Sequence, residues 1–228
     1  MSDMSWRAPA PHSYPLFSEP VLQPRRFAAY GASKRAIDIT GSALGLLLLS
    51  PLLLVVALAV KLDSPGPLLF SQVRVGERGR QFRCWKFRSM FRDAEQHRAA
   101  LLDGNEMAGG TTFKIRRDPR ITGVGRFIRR ASIDELPQLW NVLVGDMSLV
   151  GPRPALPVEV QSYSARAWQR LQVKPGITCI WQVSGRSDIP FEKQLELDLR
   201  YIRQRCLWLD IRLLLATVPA VLLARGAC

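Results

Sequence analysis

The chain has 228 residues, with 32 Lys+Arg against 19 Asp+Glu, a formal charge of +13, four cysteines and two histidines. That length suits one domain with a real core, and the charge calls for an anionic partner, whether nucleic acid, a membrane face or a phosphorylated substrate. Cys84, Cys179, Cys206 and Cys228 form no C-x-x-C pair, and His12 and His97 stand alone, so zinc, thiol and histidine chemistry are disfavoured and any site must be built from carboxylates, Lys and Arg, with a hard cation if it holds a metal.

In chain order, residues 1–33 carry Pro9, Pro11, Pro15, Pro20 and Pro24 without periodicity, which predicts a mobile leader with no apolar core of a signal peptide. Ile39 to Val60 then runs without a charge, enough for roughly 33 Å of helix. Ser50-Pro51 interrupts it, because Pro51 has no N–H to give Leu47 and Ser50 is placed to back-bond one turn earlier. A sharp bend is expected there. Arg25, Arg26, Lys34 and Arg35 precede the stretch and Lys61, Arg74, Arg78 and Arg80 follow it. Balanced cationic flanks fit both ends on one membrane face better than a crossing. Residues 34–62 are therefore expected to form a re-entrant helix hairpin, with a kinked single span as the alternative, and residues 63–228 a cytosolic domain.

Leu68 to Val75 and Gln81 to Phe87 alternate around Gly76 to Gly79, which predicts a β-hairpin. Seven cations against one acid between Arg74 and Arg92 make it a basic surface. Asp93 to Leu102 is expected as helix and Asp103 to Thr112 as loop. A second basic run, Lys114 to Arg130, leads into the adjacent carboxylates Asp134 and Glu135. Ser132 to Glu135 has capping-box spacing, although Pro137 would then break the helix it caps. With Asp134 as the cap, Pro137 falls in the tolerant first turn. Either way both acids lie at a helix N-terminus, where carboxylates are favoured structurally as well as chemically. The helix should run on to Val144 with Trp140 and Leu143 in the core, and stop at Gly145.

Further on, Leu156 to Leu171 reads as one amphipathic helix, Ile177 to Val183 as a β-rich run, and Ser184 to Arg186 as a turn that presents a guanidinium. Helix follows from Phe191, with Asp198 near its middle and Arg200 or Arg203 as a possible ion-pair partner. Leu207 to Leu223 is apolar but broken by Asp210, Arg212 and Pro219, so it either lies in a membrane interface or packs on the core. The fold class is α+β, mostly helical: a small catalytic domain with a short β-hairpin, an N-terminal re-entrant helix hairpin and interfacial amphipathic helices.

KFRSM (86–90), DPRITGVGRFIRR (118–130), SIDELPQLWNVLVGDMSLVGPRP (132–154), KPGITCIWQVSGR (174–186) and LELDLRYI (195–202) occur in that order. Together they resemble the bacterial sugar transferase family, the monotopic polyprenyl-phosphate phosphoglycosyl transferases, from about Lys34 onward. The resemblance implies transfer of a sugar 1-phosphate from a UDP-sugar to polyprenyl (undecaprenyl) phosphate at the inner leaflet, with release of UMP. It implies Asp134 as nucleophile, ionised without a helper base at a reference pKa of about 3.9, and Glu135 as its partner, the two holding Mg²⁺. Lys86 and Arg88 would lie near phosphate, Arg129 and Arg186 would grip it, Arg153 would meet the nucleotide, and Asp198 would join the site. Cations and Mg²⁺ would shield the approaching phosphates. Competing classes are a membrane-tethered nucleic-acid binder and a non-catalytic scaffold; against the first, the basic runs lack interleaved aromatics and no helix-turn-helix or zinc pattern is present. The sugar and the oligomeric state are not legible, although GRSDI and the RGAC end lean toward glucose or galactose.

Overall fold

In a computed structural model the charge-free stretch forms two helices, α1 (Pro24–Leu48) and α2 (Ser50–Asp63), bent by 61° at Leu49. The structure describes residues 24–94, 96, 118–185 and 189–222. The leader up to residue 23, most of the helix expected from Asp93, the glycine-rich 103–112 connection and Arg186 lie outside them. The bend follows from Ser50-Pro51. Pro51 sits in the first turn of α2, where its missing N–H breaks no bond of that helix. The Leu47 carbonyl it leaves unpaired accepts instead from Ser50 Oγ at 2.7 Å. Among the described residues no single helix is long and apolar enough to cross a membrane. Leu44, Leu47, Leu48, Leu54, Val55 and Leu58 are nevertheless all exposed on this pair.

The rest of the described chain is mostly helical. Strands β1 (Leu69–Val75) and β2 (Gln81–Phe87) make the expected antiparallel hairpin, with Phe70 opposite Lys86. Then come α3 (Gly123–Arg130), α4 (Gln138–Val144) and β3 (Ser148–Val150). Helices α5 (Pro157–Gln161) and α6 (Ala165–Trp168) follow, then β4 (Gly176–Thr178), α7 (Ile180–Ser184), α8 (Phe191–Gln204) and α9 (Leu207–Leu222). β3 and β4 pair in parallel, Val150 opposite Thr178, as a second small sheet. Two expectations fail here. Leu156 to Leu171 is not one helix, because Ser164 Oγ accepts from Ala167 N at 3.3 Å and starts a new one. Ile177 to Val183 is strand only to Thr178, since the partner strand ends where Pro152 and Pro154 have no N–H to offer.

Buried charge holds α1 to the domain. Arg35 Nη1 and Nη2 donate to the carbonyls of Val142 and Leu143 at 2.6 and 2.7 Å, two of the orphan acceptors at the end of α4. Asp38, 3 % exposed, accepts from Ser148 Oγ and Leu149 N. Lys34 Nζ and Tyr30 OH donate to Asp210 Oδ2, and Tyr201 OH to Asp210 Oδ1, at 2.7–2.9 Å. The far end of α2 is held separately: Val56 and Val60 pack with Phe87 and Ile128. Helix α9 packs on the core through Leu213 and Asp210, while Trp208, Ile211, Leu215 and Val218 are exposed on its other side.

Because Asp210 pairs with a cation and two phenols in a dry setting, Asp210→Ala removes the carboxylate that Lys34 and Tyr30 share and leaves Tyr201 OH only the Val150 carbonyl at 3.1 Å. The expected loss is about 3 kcal/mol or more in unfolding of the detergent-solubilised chain. A change below about 1 kcal/mol would mean that this cluster does not hold α1 in place.

Candidate active site

The carboxylate pair sits on a turn made by two local constraints. Helix α3 is capped by Thr122, whose side chain accepts from Gly125 N at 3.0 Å, and it ends with Arg129 and Arg130. Gly125 lies against the backbone after KFRSM so closely that a Cβ there would stand 2.0 Å from the Ser89 carbonyl oxygen. Two of the recognisable motifs are thereby packed into one wall. Ser132 then turns the chain in the left-handed region, φ 55°, a conformation uncommon for a residue with a Cβ.

Ile133–Glu135 form one 3₁₀ turn, and α4 begins only after Pro137. Pro137 has no N–H for the Ile133 carbonyl, so Leu136 N takes that carbonyl at 3.2 Å and tightens the turn. The acids thus precede the helix instead of opening it. No side-chain cap bond forms at Ser132, which removes the capping-box alternative. Gly145 does end α4, at φ 99°. Trp140, expected in the core, is 53 % exposed, because Leu139 and Val142 take the inward face.

Lys86 projects from β2 to the pair, donating from Nζ to Glu135 Oε1 and lying 3.9 Å from Asp134 Oδ2. Asp134 is 7 % exposed and Glu135 half-buried. Burial pushes the Asp134 carboxyl up to about 6, with the charge of Glu135 adding to it and Lys86 and Arg129 pulling back. Burial also raises Glu135, but the Lys86 ammonium and its hydrogen bond, with Arg153 and Arg74, outweigh it and hold Glu135 below its usual value. The proton of the pair therefore belongs to Asp134, while Glu135 stays ionised.

The Pro152-Arg153-Pro154 turn is gripped from two sides. Arg74 Nη1 donates to the Pro154 carbonyl at 2.9 Å and Val75 N to the Ala155 carbonyl at 2.9 Å. Gly176 N donates to Pro152 at 2.9 Å. Arg153 lies 4.0 Å from Glu159. Arg74 is itself buried, its pKa lowered to about 10 by burial and then by Arg153, so it remains a cation. It is a site residue that the sequence does not single out from the six other cations of its run, and strand alternation with apolar Val73 and Val75 on either side points it outward.

The other sequence candidates divide. Arg129, half-buried at the end of α3, acts on Asp134. Arg88 does not face the carboxylates: its buried guanidinium donates to the carbonyls of Val60 and Ser64 and ties α2 to the hairpin. Asp198 is 1 % exposed and pairs with Arg170 Nη2 at 2.7 Å, not with Arg200 or Arg203. Burial pushes its carboxyl up to about 6, against the pull of Arg170. It meets the Arg153 region only indirectly, since Arg170 donates to Tyr163 OH and both border the groove beside Arg153. Among the described residues no three His, Cys, Asp or Glu converge, so no all-protein metal cage exists there. Two adjacent carboxylates still fit Mg²⁺, which keeps most of its shell on water and substrate phosphate, provided Lys86 shares Glu135 with it.

Comparison with known proteins finds bacterial sugar transferases. The chain is 49 % identical over 196 residues to the galactosyl transferase CpsE of Streptococcus agalactiae, covering 86 % of this chain and 43 % of that protein. It is 44 % identical to the undecaprenyl-phosphate galactose phosphotransferase of Salmonella typhimurium, covering 85 % and 41 %. The exopolysaccharide production protein ExoY of Sinorhizobium fredii is 38 % identical, covering 86 % and 88 %. The chain thus spans about two fifths of the length of the first two relatives and most of the third. Residues 29–224 match the family described as bacterial sugar transferase, which takes in both helices of the bent pair, the Asp134–Glu135 turn and α9, and the chain belongs to that family.

Proposed function

We propose that the chain moves a sugar 1-phosphate from a UDP-sugar to polyprenyl phosphate, releasing UMP, through two displacements at Asp134. The observation that carries this reading is the division of charge in the carboxylate pair. Asp134 is buried, lies between Lys86 and Arg129, and is the more basic of the two. At a pKa of about 6 it is about nine-tenths ionised at pH 7, yet too poorly solvated to be inert. No helper base is needed.

In the first step an Asp134 oxygen bonds to the β-phosphorus, the bond from that phosphorus to the bridging oxygen breaks, and UMP leaves with the electron pair. The product is a phosphosugar anhydride of Asp134. In the second, an oxygen of polyprenyl phosphate bonds to the same phosphorus and the Asp134 carboxylate leaves. Lys86 and Arg129 neutralise charge at the reacting phosphate, and Arg153, held on its turn by Arg74, meets the nucleotide phosphate. Arg186 belongs to the same assignment. Asp134 and Glu135 would hold Mg²⁺, which would add neutralisation of the diphosphate charge.

The bent pair α1–α2 is assigned as a re-entrant hairpin. Both of its polar ends are tied to one domain, Lys34 and Arg35 to α9 and α4, and Arg88 to the end of α2. A single folded domain lies on one side of a bilayer, so both ends do too. That side is the cytoplasmic one, where UDP-sugars are made, and the exposed faces of α2 and α9 complete the contact with lipid. A relative named for galactose supports a hexose as the sugar, and a UDP-glucose/UDP-galactose panel identifies it.

Asp134→Asn is expected to abolish UMP release while leaving the fold intact and raising its stability by about 1–3 kcal/mol, since a buried carboxylate with an elevated pKa costs stability at neutral pH. Residual turnover would move the nucleophile elsewhere. The rate of UMP release should be flat above about pH 7 and fall toward tenfold per unit below about 6, as Asp134 takes up its proton. Stability should run the other way: the folded carboxyl is more basic than the unfolded one, so stability increases as pH falls from about 6 toward 4. A rate profile flat down to pH 5 would contradict the assignment. Arg153→Ala is expected to raise KM for the UDP-sugar by about tenfold or more; unchanged KM and kcat would remove Arg153 from the site.

A further inference from the structure

A second cavity, of about 220 Å³, opens away from the carboxylate pair, between the start of α1, strand β3 and the corner joining α8 to α9. Four cations line it, Lys34, Arg35, Lys174 and Arg205, with Asp38 and Glu77 as the carboxylates. The acids do not balance the cations. Asp38 is turned to Ser148 Oγ and Leu149 N. Glu77, from the hairpin turn, makes no ion pair with any of the four among the described residues. Lys34 is taken by Asp210, and Arg35 by the carbonyls at the end of α4.

Lys174 differs from its neighbours. It is half-buried, with no hydrogen bond or ion pair among the described residues. Its Nζ converges with Arg35 Nη2 on one spot: a Cβ added to Gly145 would lie 3.3 Å from Arg35 Nη2 and 3.5 Å from Lys174 Nζ. Both cations thus stand at the C-terminal end of α4, whose carbonyls already occupy Arg35, which leaves the Lys174 ammonium as the lining cation without a side-chain partner among the described residues. The volume is far above that of one water and below the ~300–1,000 Å³ of drug-sized sites. It suits a phosphate group with a short substituent and is too small for a nucleotide sugar. The cavity also sits where both bordering elements change character. The uncharged stretch of α1 begins at Ile39, four residues after Arg35, and Trp208, three residues after Arg205, is 72 % exposed.

The geometry points to an oxyanion site at the foot of α1, separate from Asp134, in which Lys174 binds the phosphate of a small phosphate ester, either a lipid headgroup or a soluble phosphate, with the other lining cations adding a favourable field. The guanidinium of Arg35 donates to α4, so an occupant would brace the joint between the membrane-facing helix and the helix that follows the Asp134 turn.

The test uses the full chain in detergent, titrated with inorganic phosphate against chloride at equal ionic strength. In parallel it is titrated with short-chain phosphatidylglycerol against phosphatidylcholine of the same chain length. Thermal melting and native mass report binding. At least one phosphate probe is expected to bind and raise the melting temperature. Lys174→Gln is expected to weaken that binding about tenfold, Lys174→Arg to restore it, and Arg153→Ala to leave it unchanged. A response to phosphatidylglycerol alone identifies a headgroup as the occupant, and a response to inorganic phosphate identifies a soluble one; both support the site. Failure of every probe to bind, Lys174→Gln binding as tightly as the parent chain, or loss of binding on Arg153→Ala instead would each overturn it.

Discussion

The joint between Arg35 and the last turn of α4 is the contact on which the rest of the layout depends. A helix end buried without partners for its carbonyls is costly, and here those partners come from a helix 107 residues earlier in the chain. The same short stretch of α1 supplies Asp38 to β3 and Lys34 to α9. One polar helical segment thus fastens three elements. Beyond it the helix turns apolar and exposed, so that apolar stretch and the body of the domain share one base. The carboxylate pair lies just before the other end of α4, about two helical turns from that base.

The turn itself divides two like residues into different roles. Adjacent carboxylates in one desolvated place cannot both ionise cheaply. Lys86 resolves the conflict by bonding Glu135 and standing farther from Asp134. Arg74 and Arg153 add to the same bias from behind the Pro-Arg-Pro turn. Glu135 is thereby a fixed negative charge, and Asp134 a carboxyl made more basic by its desolvation. The left-handed backbone at Ser132 and the missing N–H of Pro137 are the local devices that present the pair on a tight turn.

Membership of the bacterial sugar transferase family, the Asp134–Glu135 pair and the hairpin carrying Lys86 were all legible from ordered motifs and alternating patterns, since each is local. The bend at Ser50-Pro51 was legible too, because a proline's missing donor is a property of one residue. The sequence misled wherever a short element had to choose a partner. Leu156 to Leu171 has helical periodicity but breaks where Ser164 caps a new turn. Arg88, inside a recognisable motif, turns to the end of α2. Arg74, inside an undistinguished basic run, reaches the Pro-Arg-Pro turn.

By itself, then, the sequence determined the order of elements, the apolar stretch with its break, and the residue types from which a phosphate-handling site can be built. Only the tertiary structure decided which cation serves which anion. It assigned Asp198 to Arg170, Asp210 to Lys34 and Glu135 to Lys86, and it set the Asp134 carboxyl near 6. The reason is physical: periodicity and turn chemistry act between near neighbours along the chain, whereas desolvation and ion pairing depend on distances between residues far apart in sequence, which exist only once the chain has folded.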